Sequence, residues 1–387
     1  MEPAEGFVLD DELWHELIEI TDSAASACFQ CGVCTATCPW NKVRDEPVSV
    51  RKMMRRAQVG LMDGDQDLWL CTGCGMCEPG CPRGVPIAEV FRGLRQVAWE
   101  RRQTLAGLPS LLWSVYWNNN PWQQPPSQRG DWAAGLALDV YDPERHEILL
   151  YVGCTASYDR RAQRVARALV RLLDSAGVAF GTLGEAEPCC GESVRSLGHL
   201  PYFEEIAASN GEFFVEHGVT RLVTISPHCF DTFANHTPQP GGRLEVLHYT
   251  ELLAQLLDCG RLTLKNSLQA RVTFHDPCYL GRINSDYESP RKVIDAVPGL
   301  ERVEMERNRQ DALCCGGGGG RLWMETAAGE RFSDLRVQEA EQADAEILVT
   351  ACPACIACLE DSLKSLQMGQ LRVLDVAELL AALTDNG

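Results

Sequence analysis

Cysteine is the residue whose type and spacing carry chemistry in this chain. Two runs share one pattern, Cys28-x-x-Cys31-x-x-Cys34-x-x-x-Cys38-Pro39 and Cys71-x-x-Cys74-x-x-Cys77-x-x-x-Cys81-Pro82. Three thiolates at i, i+3 and i+6 in a tight loop wrap one [4Fe–4S] cubane, while the fourth, set just before proline, points away. Zinc competes for such residues, but a structural zinc site usually takes its four ligands as two separated pairs. Disulfides compete less well, because the 19 cysteines are odd in number and fall in tight groups.

A second set lies further along. Cys154, Cys189-Cys190-Gly191 and Ser226-Pro227-His228-Cys229 are followed, after a steady offset, by Cys278, Cys314-Cys315-Gly316 and Cys352-Pro353-Ala354-Cys355. Three landmarks with one offset indicate a duplication, and hence two similar lobes facing each other. Each Cys-Cys-Gly gives two adjacent thiolates and a glycine that lets the backbone approach a bulky inorganic core. In the second repeat five sulfurs, those of Cys278, Cys314, Cys315, Cys352 and Cys355, can converge on one point. The first repeat has Ser226 where the first cysteine of Cys-x-x-Cys belongs, and a hydroxyl oxygen is a poor substitute for a soft thiolate. For Cys154, Cys189, Cys190 and Cys229 three outcomes stay open: a cubane or smaller cluster, a larger cluster with an oxygen ligand, or an empty site.

At these residues the chain resembles known families. The N-terminal runs resemble bacterial two-cluster ferredoxins, in which the fourth cysteine of each run serves the other cluster. That resemblance implies Cys28, Cys31, Cys34 and Cys81 on one cubane and Cys71, Cys74, Cys77 and Cys38 on the other. The C-terminal pattern of Cys, Cys-Cys-Gly and Cys-x-x-Cys resembles the CCG domain of the heterodisulfide reductase family. Cys28-Phe-Gln-Cys-Gly-Val-Cys is similar to the C-type subunit of that family, and His275-Asp-Pro-Cys-Tyr-Leu-Gly to the second repeat of many relatives. A ferredoxin block followed by two CCG repeats looks like the D-type subunit, which is equivalent to a fusion of the C-type and B-type subunits. The resemblance implies a noncubane [4Fe–4S] cluster on the five cysteines of the second repeat, as the place where a disulfide or another acceptor reacts.

The elements that must position these groups fall into blocks. Residues 1–102 hold the ferredoxin-like runs, and 103–147 form a Trp/Pro/Asn-rich linker without clean periodicity. Residues 148–260 and 261–387 are the first and second repeats. Glu147 to Gly153, Arg221 to Ile225 and Glu346 to Thr350 read as strands running into cysteine groups, and Ala162 to Ala176 as a helix. The expected fold is therefore multi-domain α+β: a helical two-cluster ferredoxin domain, then a duplicated α/β unit with mostly parallel sheets and chemistry at strand C-termini. Val48 to Val59 reads as a basic helix carrying Arg51, Lys52, Arg55 and Arg56, a solvated face before it is a docking patch. Leu111 to Trp122, with three tryptophans, reads as a linker packed on the CCG block, or else as a contact for a membrane-bound partner.

Smaller features carry plainer expectations. Gly316 to Gly320 lacks the Lys-Ser/Thr of a phosphate loop and reads as close backbone packing around a cluster. Cys358 reads as a buried small apolar residue rather than a sixth ligand. Cys259-Gly260 reads as a helix end. His228 and His275, near cluster cysteines, read as satisfied structural histidines before they are donors to a cluster sulfide or to a product thiolate.

Composition bounds the function. A formal charge of −19 argues against a nucleic-acid partner and fits either docking on a basic protein or simple solubility. The acidic N-terminus and the amphipathic stretch Leu9 to Ile20 do not make a secretory signal, and grouped thiols suit a reducing compartment. The expected location is cytoplasmic, or peripheral at the inner face of the membrane through a partner. The apolar run Leu108 to Trp117 is about half the length that spans a bilayer. No G-x-G-x-x-G follows a strand, so any flavin belongs to another chain.

The expected role is an electron-transfer subunit of a larger oxidoreductase. Its partners would be other redox subunits: a flavoprotein, a membrane cytochrome or a reductase. Disulfide reduction, a conduit from a flavin dehydrogenase to quinone, and electron feeding of a large reductase assembly all fit. A cluster-stabilised scaffold or redox sensor, and a zinc hydrolase, are the readings from other classes.

Overall fold

The computed structural model describes residues 11–61, 66–242, 244–327 and 329–384. The expected start of the first helix at Leu9 lies outside these residues, and the helix runs Asp11–Ile20. No helix among the described residues is long and apolar enough to cross a membrane.

The C-terminal half contains two four-stranded parallel sheets. The first is built from β1 (Ile148–Tyr151), β2 (Phe180–Gly181), β3 (Arg221–Thr224) and β4 (Glu245–His248), in the order β2-β1-β3-β4. The second uses β5 (Ala270–His275), β6 (Leu300–Arg302), β7 (Ile347–Thr350) and β8 (Arg372–Asp375), in the order β6-β5-β7-β8. The same order in both sheets is what a duplication requires. β1 and β7 are buried along their whole length, as apolar strands covered by helices on both faces must be. Parallel registers put Tyr151 beside Thr224 and His275 beside Thr350 at the strand ends. The loops that follow therefore emerge side by side, and these are the cysteine loops.

The lobes are clasped by helices. Gln163–Ser175 of the first packs on Val376–Ala381 of the second, and Tyr249–Asp258 packs on Glu288–Asp295. Tyr249 donates its hydroxyl proton to Asp375 across this seam at 2.8 Å. Arg161 donates to Glu378 at 2.8 Å and also pairs with Glu360.

In the N-terminal block, Ile87–Glu100 is the central helix, and Gly93 lets Asp11–Ile20 cross it closely beside Leu17 and Ile20. The stretch 103–147 is more structured than its sequence suggests. It contains the helix Leu108–Asn118, whose Leu108, Leu111 and Val115 are buried while Trp113, Tyr116 and Trp117 are exposed. Apolar residues on nearly every side of this helix hide its periodicity. Trp122 packs edge-on against Trp323 of the second lobe, so one part of the Trp-rich segment is packed and the other faces solvent.

Candidate metal centres

None of the 19 cysteines is in a disulfide. The structure sorts the eight N-terminal ones into two sets. Cys28, Cys31, Cys34 and Cys81 line a cavity of about 380 Å³. Cys38, Cys71, Cys74 and Cys77 line a second, mostly apolar cavity of about 480 Å³ with Trp40, Met53 and Phe91. The loops are drawn inward by hydrogen bonds aimed at sulfur, from Val85 N to Cys81 at 3.4 Å and from Gln30 Nε2 to Cys28 at 3.5 Å. Burial pushes the Cys38 thiol up to about 12 and Cys77 higher still. Without a cation these sulfurs stay protonated, so a positive inorganic centre is what would convert them to thiolates.

The five cysteines of the second repeat are all buried and gathered together. Cys278 Sγ lies 4.0 Å from Cys314 Sγ, and the Cys355 thiol meets those of Cys315 and Cys352. Gly316 N donates to Cys314 Sγ at 3.3 Å. The bond from Cys355 holds the Cys352 thiol well below its usual range, against the cost of burial and with help from His228. His228 itself is held well above the ordinary imidazole value: burial opposes this, and Glu192, 3.3 Å away, outweighs it together with Cys352.

His275 supplies a direct test of fit. Arg336 Nε donates to its Nδ1 at 3.2 Å, so the proton sits on Nε2. Burial first, and Arg336 second, keep this imidazole neutral. Nε2 is buried without a protein partner, and the ring lies with the Cys315 and Cys355 sulfurs in a group whose ligand atoms are all within 4.8 Å of one another. An orphaned donor beside soft sulfurs suits an iron–sulfur core, whose sulfides accept hydrogen bonds.

In the first repeat, Cys154, Cys189, Cys190 and Cys229 meet in succession and line a cleft of about 680 Å³ with Ser226 and His228. Ser226 and Cys352 occupy the same backbone position, the N-cap of a helix that begins with proline. Ser226 spends its oxygen on the cap, accepting from His228 N at 3.3 Å, whereas Cys352 makes no such bond. Arg129, from the stretch expected to be a linker, reaches within 3.5 Å of Cys154 Sγ and pairs with the buried Glu187 at 2.9 Å.

Two expectations change. Gly316 to Gly320 does more than pack around the second-repeat sulfurs. Side chains on Gly318 or Gly319 would run into the backbone of Thr72 and Cys71, so this loop is where the N-terminal block seats on the second lobe. Cys358 is half-buried rather than buried. It opens with Cys315 onto a solvent cleft of about 1480 Å³, and a methyl group on Gly317 would lie 3.0 Å from its sulfur and 3.9 Å from that of Cys315. Cys259 sits exposed at a helix C-cap, as its Cys-Gly pair suggests. The supporting residues Arg129 and Arg336 carry no sequence signal, since each arrives from a segment outside the cysteine motifs.

Comparison with known proteins places these cysteine groups within two kinds of domain. The 4Fe-4S dicluster domain matches residues 24–85, and the cysteine-rich CCG domain matches twice, over 148–234 and 272–360. The D-type subunit of the dihydromethanophenazine:CoB–CoM heterodisulfide reductase of Methanosarcina acetivorans is 30% identical over 388 residues, covering 92% of this chain and 93% of that protein. The chain belongs to the family of D-type heterodisulfide reductase subunits. It is an iron–sulfur protein of oxidoreductase type, with a dicluster domain ahead of two CCG domains.

Longer proteins also match. The "Probable iron-sulfur-binding oxidoreductase FadF" of Bacillus subtilis is 35% identical over 334 residues, covering 84% of this chain and 47% of that protein. An EtfAB:quinone oxidoreductase of Syntrophomonas wolfei is 36% identical over 336 residues, covering 82% and 46%. The chain thus spans about half the length of these two relatives.

Restoring the missing sulfur of the first repeat is a local test of its design. Ser226→Cys is expected to raise reconstituted iron, read by iron analysis and Mössbauer spectroscopy; no gain would mean this ligand does not limit the site.

Proposed function

We propose that this chain carries electrons, within a heterodisulfide reductase-like complex, between two ferredoxin-type cubanes and a noncubane cluster in the second CCG repeat. Cys28, Cys31, Cys34 and Cys81 would hold the first cubane, and Cys38, Cys71, Cys74 and Cys77 the second. Cys278, Cys314, Cys315, Cys352 and Cys355 would hold the noncubane cluster. Bound clusters would supply reversible one-electron steps at each site.

One observation carries the proposal: the Cys74 and Cys314 thiols lie close enough to interact, so the second N-terminal set adjoins the second-repeat set. The contact is built, not incidental. Arg282, four residues past Cys278, donates to Cys74 O at 2.8 Å and to Ala312 O at 2.5 Å, tying both loops together. Trp40, beside Cys38, packs edge-on against Phe332 of the second lobe with ring centroids 4.6 Å apart. The cleft above Cys315 and Cys358, with Arg321 and Arg331 in its wall, offers an external acceptor a way in. A disulfide is the acceptor this reading favours.

A second reading, a conduit between a flavin dehydrogenase and quinone, draws on the relative named as an EtfAB:quinone oxidoreductase. One experiment tests both. Anaerobically reconstituted protein is reduced, then mixed with a panel of disulfides and with a water-soluble quinone, while cluster absorbance is followed by stopped flow. Reoxidation by disulfides, lost in Cys315→Ala, supports the first reading, and reoxidation by quinone alone supports the second. Pale, iron-free protein after reconstitution would end both.

A further inference from the structure

The first N-terminal sulfur set lies at the surface, and it lies there in unusual electrostatic company. Cys31 and Phe29 are exposed, the phenyl ring by 59%. The chain as a whole is strongly acidic, yet residues 24–44 and 47–61, which frame this site, contain no Asp or Glu. They contribute the basic helix Val50–Gln58 instead.

That helix lies along the cysteine loop. Arg51 N donates to Thr35 Oγ1 at 2.8 Å, and the Arg51 side chain passes within 3.4 Å of where a Cβ on Gly32 would sit. Seven residues on, Gln58 donates to Cys28 O at 3.1 Å. Arg51, Arg55 and Gln58 stand at i, i+4 and i+7, so they share one face and Arg55 stands between two points that touch the loop. Lys52 adjoins Arg55 at i+3, and Arg83 joins Arg51 on the wall of the same cavity.

Elsewhere the arginines are used internally: Arg129 with Glu187, Arg161 with Glu378, Arg291 with Asp276 and Arg302 with Asp295. Arg51, Lys52, Arg55 and Arg83 are exposed, and among the described residues none of them forms an ion pair. Uncompensated cations around an exposed aromatic ring, above a thiol-lined cavity, serve no folding purpose. Such a pattern attracts and orients an anionic surface.

We propose that this face is the docking site for an acidic one-electron carrier protein, which exchanges electrons with the first N-terminal cluster. The inference rests on the reading of Cys28, Cys31, Cys34 and Cys81 as cluster ligands, and it narrows the partner by charge. Net charge alone would point to a basic partner; the local field at this end has the opposite sign. The carrier's acidic rim would meet Arg51, Lys52, Arg55 and Arg83, with Phe29 at the centre of the contact.

The test uses full-length reconstituted protein, an acidic ferredoxin as donor, basic cytochrome c as an acceptor of opposite charge, and dithionite as a small reductant. Lys52→Glu/Arg55→Glu changes two exposed side chains that do not line the cavity. Electron transfer from the ferredoxin at low salt is expected to slow about ten-fold or more in this variant, and in the wild type to slow as salt is raised. Dithionite reduction and the cluster spectra should not change. An unaltered ferredoxin rate, no salt dependence, or faster exchange of the wild type with cytochrome c would overturn the proposal. So would charge-dependent binding to phosphatidylglycerol vesicles with no response to the ferredoxin, which would make the face a lipid site. Wild-type protein without N-terminal cluster spectra would instead count against the ligand reading.

Discussion

Cys315→Ala is expected to abolish the noncubane spectroscopic signal, lower iron by roughly four atoms per chain, and leave the two N-terminal cluster signals intact. The sulfur it removes is central to its group: it meets Cys355, lies beside the orphaned Nε2 of His275, and is the second-repeat ligand candidate that also faces the open cleft. The N-terminal sets draw no sulfur from the C-terminal half, so their spectra provide an internal control. Cys358 makes the experiment sharper, because its sulfur, like that of Cys315, lies within 4 Å of where a Cβ on Gly317 would sit. Retained signal in Cys315→Ala but not in Cys315→Ala/Cys358→Ala would identify Cys358 as the replacement ligand. Full signal in both variants would refute the five-cysteine site.

Arg95→Ala is expected to loosen the whole assembly. Arg95 lies on the central N-terminal helix, is buried, and donates to four carbonyls: Leu68 and Cys71 in the second cysteine loop, Ser196 in the first lobe and Gly319 in the second. Among the described residues it forms no ion pair. Burial pulls its pKa down to about 10, with Cys71 opposing that fall. Truncation leaves up to four buried acceptors unpaired, each costing about 1–3 kcal/mol, so a loss of at least ~3 kcal/mol is expected. In urea titrations the cluster absorbance of the variant should bleach at clearly lower denaturant. Electron delivery from the N-terminal clusters to the second repeat should also slow, because the Cys74–Cys314 contact depends on the same seating. Wild-type behaviour in both measurements would show that the Gly318–Gly319 seat and Arg282 hold the domains without it.

The contrast between these residues explains what is legible along the chain and what is not. Metal ligands gathered by a tight loop leave a local signature, since three sulfurs can face one centre only at short, fixed intervals; both N-terminal runs are therefore legible. The duplication is legible too, because its landmarks are rare residues and the strands leading to them, such as Ile347–Thr350, are continuous apolar runs. The Ser226 departure stands out against that frame.

The arginines do not. Arg95, Arg129 and Arg282 belong to no motif, and nothing local distinguishes an arginine that will be buried against carbonyls from one on a surface. The helix Leu108–Asn118 is hidden for a related reason, its apolar residues being spread around the axis instead of along one stripe. The glycine run after Cys315 reads as a place of close approach, but its neighbour, the Thr72 loop, is more than two hundred residues away in sequence.

Sequence alone shows that the cysteines fall into two N-terminal runs and two repeats, that the second lobe repeats the first, and that Ser226 stands in the first lobe where Cys352 stands in the second. Tertiary structure alone decides that the second cysteine loop adjoins the complete repeat through Cys74 and Cys314, that the His275 ring joins the Cys315 and Cys355 sulfurs, and that the basic helix borders the exposed cysteine set. Coordination chemistry acts over a few residues and writes itself as spacing. Docking of one domain on another depends on backbone carbonyls and shape, which every sequence possesses and none advertises.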